Sequence, residues 1–329
     1  MGLVKPNFPD RANLAHLPTR IERMDRLSSH LGGPQLLVKR DDQTGLALGG
    51  NKVRKLEFLV ADAMAQGKDH LITTGGPQSN HCRQTAAAAA QNGLGCSLVL
   101  RGQAPQELGG NLLLDRLLGS ELCWAGDRPP EKVMAETAEA LEAAGRRPYI
   151  VLKGGSNAVG ATGYVLAMKE AIDQLAEAEE SVDVMVVASS SAGTQAGMVL
   201  GAHVYGFRGR ILGISIDVPE LELKALVTDL AESTAEFLGL DRPSLVDRVE
   251  VNADYLGGGY GVLGDLERGA IDLVGRLEGI ALDPVYTGRA MGGLLDLIAR
   301  GMFQPSERIL FWHTGGAPAL FAYGENLFL

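Results

Sequence analysis

The chain has 329 residues, more than one hydrophobic core usually serves, so two domains or one large elaborated α/β domain are expected. Its 46% hydrophobic and 21% charged residues suit an ordinary globular protein, and its 43 glycines and 14 prolines are scattered rather than pooled in a disordered tract. A formal net charge of −10 argues against a nucleic-acid surface and against attraction to anionic lipid, so any anionic ligand needs a local positive site.

Strand-like and helix-like patterns alternate along the chain. Leu36–Lys39 reads as a strand, Val53–Gln66 as an amphipathic helix, His70–Thr74 as a strand and Asn80–Gln91 as a helix. Strand Ser97–Leu100, helix Asn111–Leu118, strand Glu121–Trp124, helix Pro130–Ala144 and strand Pro148–Val151 follow. Beyond the glycine pair near 154–155, read as a crossing between two lobes, come helix Asn157–Ala176, the apolar strand Val182–Ala188, helix Gly193–Tyr205 and strand Ile211–Ile216. The last third adds helices Pro219–Leu238, Leu263–Leu277 and Gly288–Ala299 and closes on strand Ile309–Trp312. Repeated βα units with near-continuous apolar strands imply an α/β protein with parallel sheets covered by helices on both faces. Ligands then sit in the loops after strand carboxyl ends.

Cys82, Cys96 and Cys123 match no zinc spacing and suit reduced thiols; no metal site is visible, although a monovalent cation held by carbonyls would leave no trace. Met1–Asp10 lacks the apolar core of a signal peptide, and no run approaches the ~20 apolar residues that span a bilayer, so a cytoplasmic protein without a membrane partner is expected.

Four loops carry the chemistry. In Gly49-Gly50-Asn51-Lys52 two glycines permit a tight turn, and the lysine follows at a helix start. Lys52 is either a solvated or paired lysine, or a desolvated amine able to attack a carbonyl carbon. In Thr74–His81, Ser79 and Asn80 are good helix caps, or part of an anion site with the positive helix end. Ser189–Thr194 is either a simple tight turn or a phosphate cradle; it is neither a P-loop nor a Rossmann fingerprint. The fourth group joins Asp283–Gly288 to His313–Gly316, with Tyr260 in the glycine loop Gly257–Gly261. Each tyrosine alone suits surface packing. Together the loops offer an amine, a phosphate cradle, a carboxylate site and hydroxyls, the set that pyridoxal phosphate needs.

Several stretches strengthen this reading: Arg54-Lys55-Leu56-Glu57, Gln78-Ser79-Asn80, Ser191-Ala192-Gly193-Thr194, Leu282–Tyr286 and His313–Pro318. With them the chain resembles the D-cysteine desulfhydrase and 1-aminocyclopropane-1-carboxylate deaminase family of tryptophan-synthase-β-like pyridoxal phosphate enzymes, from about residue 14 to about residue 323. The resemblance implies two open, twisted, mostly parallel sheets flanked by helices (fold type II). It implies a large cofactor domain from 1–53 and 161–329, a small α/β domain from 54–160, and a homodimer.

The same resemblance assigns roles. Lys52 matches the lysine joined to the cofactor aldehyde that later moves protons at the substrate α-carbon. Asn80 matches the partner of the ring hydroxyl, and Ser79 with Gln78 and Asn80 the substrate carboxylate site. Ser190, Ser191, Ala192, Gly193 and Thr194 match the phosphate loop, Ser190 standing where relatives often carry glycine. Thr314 matches the partner of the pyridine nitrogen, Tyr260 and Tyr286 the tyrosines facing the substrate, and Thr287 is expected beside Tyr286 at the substrate.

Ring-opening members typically carry a glutamate after the tyrosine and a leucine before the Gly-Gly pair; here Thr287 and Thr314 stand there, as in the desulfhydrase branch. A neutral hydroxyl at the pyridine nitrogen also favours β-elimination over transamination. The expected activity is elimination on a small amino acid, D-cysteine giving pyruvate, ammonia and hydrogen sulfide. The alternatives are L-cysteate sulfo-lyase, which Leu14–Thr19 and Met24–Leu27 also resemble, a 1-aminocyclopropane-1-carboxylate deaminase, and a non-catalytic protein that binds the cofactor.

Overall fold

Strand β10 (Arg308–Trp312) shows how the sequence builds its layers. Ile309 and Phe311 pack into one apolar cluster while Leu310 and Trp312 pack into another, as the two-residue strand period requires. Both faces are therefore covered, and the strand reads as a continuous apolar run. The computed structural model describes residues 5–327. Residues 1–4 and 328–329, which are the outer ends of the expected large domain and the start of the Met1–Asp10 segment, lie outside them.

Around β10 a six-stranded sheet runs in the order β1 (Ile21–Arg23), β2 (Gln35–Lys39), β10, β7 (Val184–Ser189), β8 (Arg210–Ser215), β9 (Glu250–Asn252). All neighbours are parallel except the β1–β2 pair. Helices α6 (Ala158–Glu177), α7 (Gly193–Tyr205) and α8 (Glu220–Phe237) cover one face. Helices α1 (Asp25–Leu31), α9 (Asp265–Glu278) and α10 (Thr287–Ala299) cover the other.

The second sheet is parallel throughout, in the order β5 (Glu121–Trp124), β4 (Gly95–Leu100), β3 (His70–Gly75), β6 (Pro148–Ile150). On one face lie α2 (Lys52–Ala65), α3 (Asn80–Gln91) and Leu112 of α4 (Gly110–Leu117); on the other lies α5 (Pro130–Ala143). Every strand of this sheet lies between residues 70 and 150. Helix α2 links the sheets by packing on both α3 and α6. The approach is close: a Cβ on Gly163 of α6 would lie 2.2 Å from the Arg54 carbonyl oxygen of α2.

Short β1, α1, β9 and the final helix α11 (Leu320–Leu327) are additions to the elements expected from sequence. Gly154 and Gly155, at φ of +71° and +62°, form the turn between β6 and α6. That turn also packs on Lys55 and Ser191, so it forms part of the cavity described next.

Candidate active site

The carboxyl ends of β3, β7 and β10 and the first turn of α2 converge on one cavity, as parallel sheets dictate. Lys52 enters it because the preceding turn can be built only from glycine. Gly49 and Gly50 have φ of +67° and +129°, and Cβ atoms there would meet Asp42 O at 2.1 Å and the Gln84 amide nitrogen at 2.5 Å. The turn is fastened by Gly50 N–H donating to Thr44 Oγ1 at 2.7 Å and Asn51 N–H donating to Thr314 O at 2.9 Å. Burial, helped by the charge of Lys153, pushes the Lys52 amine down to about 8. Lys55, one helical turn on and fully buried, donates to Gly154 O at 3.1 Å; burial and then Lys52 push its amine well down.

Opposite the lysines, β7 ends at Ser189, the turn Ser190-Ser191-Ala192 follows, and α7 begins at Gly193. Ala192 sits at φ +66°. Ser156 Oγ donates to Ser191 Oγ at 2.9 Å, Asn51 Nδ2 donates to Thr194 Oγ1 at 2.9 Å, and the buried Ser189 hydroxyl has no partner among the described residues. A Cβ at Gly193 would lie 2.7 Å from Ser156 Oγ and 2.9 Å from Lys55 Nζ, so the glycine keeps this concavity open. Among the described residues, the cavity lining includes Lys52, Arg101 and Lys153, and no carboxylate. Two crowded, desolvated amines beside a helix start and free hydroxyls fit a phosphate dianion, which would compensate the charge that burial penalises. The amine and the cradle, lining one cavity, together fit pyridoxal phosphate.

Ser79 caps α3 by accepting Cys82 N–H at 3.2 Å. That bond uses an oxygen lone pair and leaves the hydroxyl proton for an anion. Across the cavity the hydroxyls of Tyr260 and Tyr286 are 2.8 Å apart, with their rings edge to face. Burial raises both, Tyr260 to about 12, so both keep their protons at neutral pH. Tyr260 is held although its loop is rich in glycine. The buried Arg289 guanidinium donates to the carbonyls of Leu256, Gly259 and Val262, and its Nε pairs with Glu267. Tyr286 is fixed by Asp283, whose carboxylate accepts the N–H groups of Val285, Tyr286 and Thr287.

Of the residues singled out from sequence, Lys52, Ser79, Asn80, Ser190, Ser191, Ala192, Thr194, Tyr260, Tyr286 and Thr314 line the cavity together. Gln78 and Thr287, expected at the substrate, are corrected. The Thr287 hydroxyl donates to Asp283 Oδ1 at 2.8 Å in the buried cap of α10. The Gln78 amide is spent on Gly109 O and Asn111 N, at 3.0 and 2.8 Å. Gly193 is also absent from the lining and serves by its missing side chain. Sequence reasoning gives no role to Asn51, Lys55, Arg101, Lys153 or Ser156, although Asn51 stands in the lysine loop and Lys55 in the stretch Arg54–Glu57, one turn after Lys52.

Residues 12–315 match the family described as pyridoxal-phosphate dependent enzyme. The chain belongs to that family. It is 44% identical over 327 residues to a D-cysteine desulfhydrase of Klebsiella pneumoniae (strain 342), covering 97% of this chain and 98% of the relative. It is 41% identical over 326 residues to a 1-aminocyclopropane-1-carboxylate deaminase of Methylobacterium nodulans, covering 96% and 97%. A crystal structure of an ACC deaminase homologue superposes with a TM-score of 0.88 at 40% identity, covering 97% of this chain and 95% of that one. Holo diaminopropionate ammonia lyase from Escherichia coli, at 17% identity and a TM-score of 0.67, shares the fold. This member of the pyridoxal-phosphate dependent family is therefore a fold type II enzyme, and pyridoxal phosphate is its cofactor. No helix among the described residues is long and apolar enough to cross a membrane.

Proposed function

We propose that this enzyme catalyses β-elimination on a small β-substituted amino acid, with D-cysteine and one water giving pyruvate, ammonia and hydrogen sulfide. The observation that carries this is a cavity whose described lining holds one activated amine and two tyrosines that burial keeps protonated, but no carboxylate. An acidic partner for ring opening is thus missing from the described lining, where Thr287 is turned away onto Asp283.

Pyridoxal phosphate, when bound, supplies an electron sink for the substrate α-carbon. In this proposal Lys52 holds the cofactor aldehyde and afterwards takes the α-proton. Asn80 donates to the ring oxygen, Thr314 meets the pyridine nitrogen, and the turn Ser190–Thr194 with Lys55 holds the phosphate. Ser79 and the first amides of α3 bind the substrate carboxylate. The Tyr260–Tyr286 pair faces the β-substituent, and its proton neutralises the departing sulfur; a tyrosine that resists ionisation remains a donor for that step.

Arg101 supports a second reading. It lines the cavity with no side-chain partner among the described residues, and a guanidinium there suits the sulfonate of L-cysteate. The proposal extends to a homodimer and to a domain division of 1–53 with 161–329 against 54–160, supported by the segregation of strands between the two sheets.

A parallel product assay on D-cysteine, L-cysteine, L-cysteate and 1-aminocyclopropane-1-carboxylate tests the function. Sulfide from D-cysteine should form fastest. Faster sulfite release from cysteate would transfer the assignment to the second reading, and faster ammonia release from the cyclopropane would overturn both.

A further inference from the structure

The Asn80 carboxamide has one orientation, and residues outside the cavity impose it. The chain of constraint begins at Arg83, which can only donate. Its Nη1 donates to Asn111 Oδ1 at 2.7 Å, and its Nη2 donates to Gly49 O at 2.6 Å in the turn that carries Lys52. With its oxygen committed, Asn111 turns its NH2 to Gln78 O and to Asn80 Oδ1, both at 3.0 Å. Asn80 Oδ1 accepts a further bond from Arg83 Nη1 at 3.3 Å. Flipping either amide would set NH2 groups against donors. The NH2 of Asn80 donates to no described protein group, while the residue lines the cavity, so this NH2 is the cavity-facing group. Asn111 itself is fully buried, locked from behind by Gln78, whose oxygen accepts its N–H.

We infer that Arg83 and Asn111 are positioning residues that lock the Asn80 carboxamide as a donor toward the ring oxygen of pyridoxal phosphate. Through Gly49 the same guanidinium ties that donor to the turn before Lys52, so the two cofactor contacts are set in one frame. The inference rests on the proposed role of Asn80.

The test is a double-mutant cycle on cofactor affinity, measured by fluorescence titration of the cofactor-free protein with pyridoxal phosphate. Asn111→Asp keeps the acceptor for Arg83 but offers Asn80 a carboxylate in place of an NH2, which draws the Asn80 amide round. Asn80→Ala and Asn111→Asp should each weaken binding about tenfold, the scale of one hydrogen bond to a charged acceptor. The double variant should be no weaker than Asn80→Ala alone, because Asn111 acts through Asn80. A merely structural role would make the two losses multiply, and that result overturns the inference, as does wild-type affinity in Asn111→Asp. Wild-type affinity in Asn80→Ala would instead remove the role of Asn80 and this inference with it. Asn111→Ser, which buries no new charge, carries the same cycle if the aspartate variant does not fold.

Discussion

An amine attacks an aldehyde only after shedding its proton, and Lys52 is placed to do so near neutrality because burial and Lys153 hold it at about 8 instead of 10.5. Below that pH the ammonium is inert; above it the free amine reacts. Cofactor-free protein should therefore capture pyridoxal phosphate at a rate that rises with pH to a midpoint near 8, followed by stopped-flow absorbance. Lys153→Ala should move the midpoint upward, since one of the two depressing causes is gone. A wild-type midpoint near 10 would mean that the amine is solvated. Most of the cavity lining is legible in the sequence because loops after strands carry it. Gln78 and Thr287 mislead because residue type does not disclose direction: each side chain is captured by a neighbouring backbone. Lys55, Arg83 and Arg289 are hidden for another reason. Their partners lie 99, 28 and 73 residues away, and only the fold brings them together.

At the level of elements, helix and strand periods placed Asn80–Gln91, Glu121–Trp124 and Gly193–Tyr205 as they occur. Three-residue β1 and β9 are too short for any period to register, and they exist through the neighbours they pair with. Glycines inside helices are also silent in sequence yet set how closely helices approach. A Cβ on Gly197 of α7 would lie 2.3 Å from Ala161 O and 2.5 Å from the Tyr164 Cβ of α6, neither of which can swing aside. Gly197→Ala should destabilise the cofactor-free protein by about 1–3 kcal/mol, as overpacking does. Gly275 of α9 has nothing within 4 Å of its would-be Cβ, so Gly275→Ala should instead stabilise by roughly 0.5–1 kcal/mol. Calorimetric melting of both variants checks the contrast; equal melting points would refute the close α6–α7 contact.

For the whole molecule the question is what keeps the Lys52 helix fixed between two sheets. The answer lies one turn behind the cavity, at the buried carboxylate of Asp41. It accepts Arg54 Nε at 2.9 Å, Thr19 Oγ1 at 2.8 Å, Tyr164 OH at 2.5 Å and Trp312 Nε1 at 2.8 Å. Arg54 also pairs with Glu170, as does Lys39. One ionic cluster thus joins α2, α6, β2 and β10, and Arg54 is two residues from Lys52. Burial alone would push the Asp41 carboxyl up, but Arg54 and Lys39 outweigh it and hold it at about 2, below the ordinary 3.8. A depressed carboxylate contributes stability above its unfolded value and loses it as pH falls through the folded one. Removing the charge leaves the buried cations Arg54 and Lys39 with Glu170 as their remaining anion, so Asp41→Asn should cost about 3–5 kcal/mol at pH 7. Urea unfolding of wild type and variant should show that gap steady from pH 7 down to about 4 and shrinking as pH falls toward 2. A variant that unfolds at the wild-type urea midpoint at pH 7 would show that the cluster does not hold α2 in place.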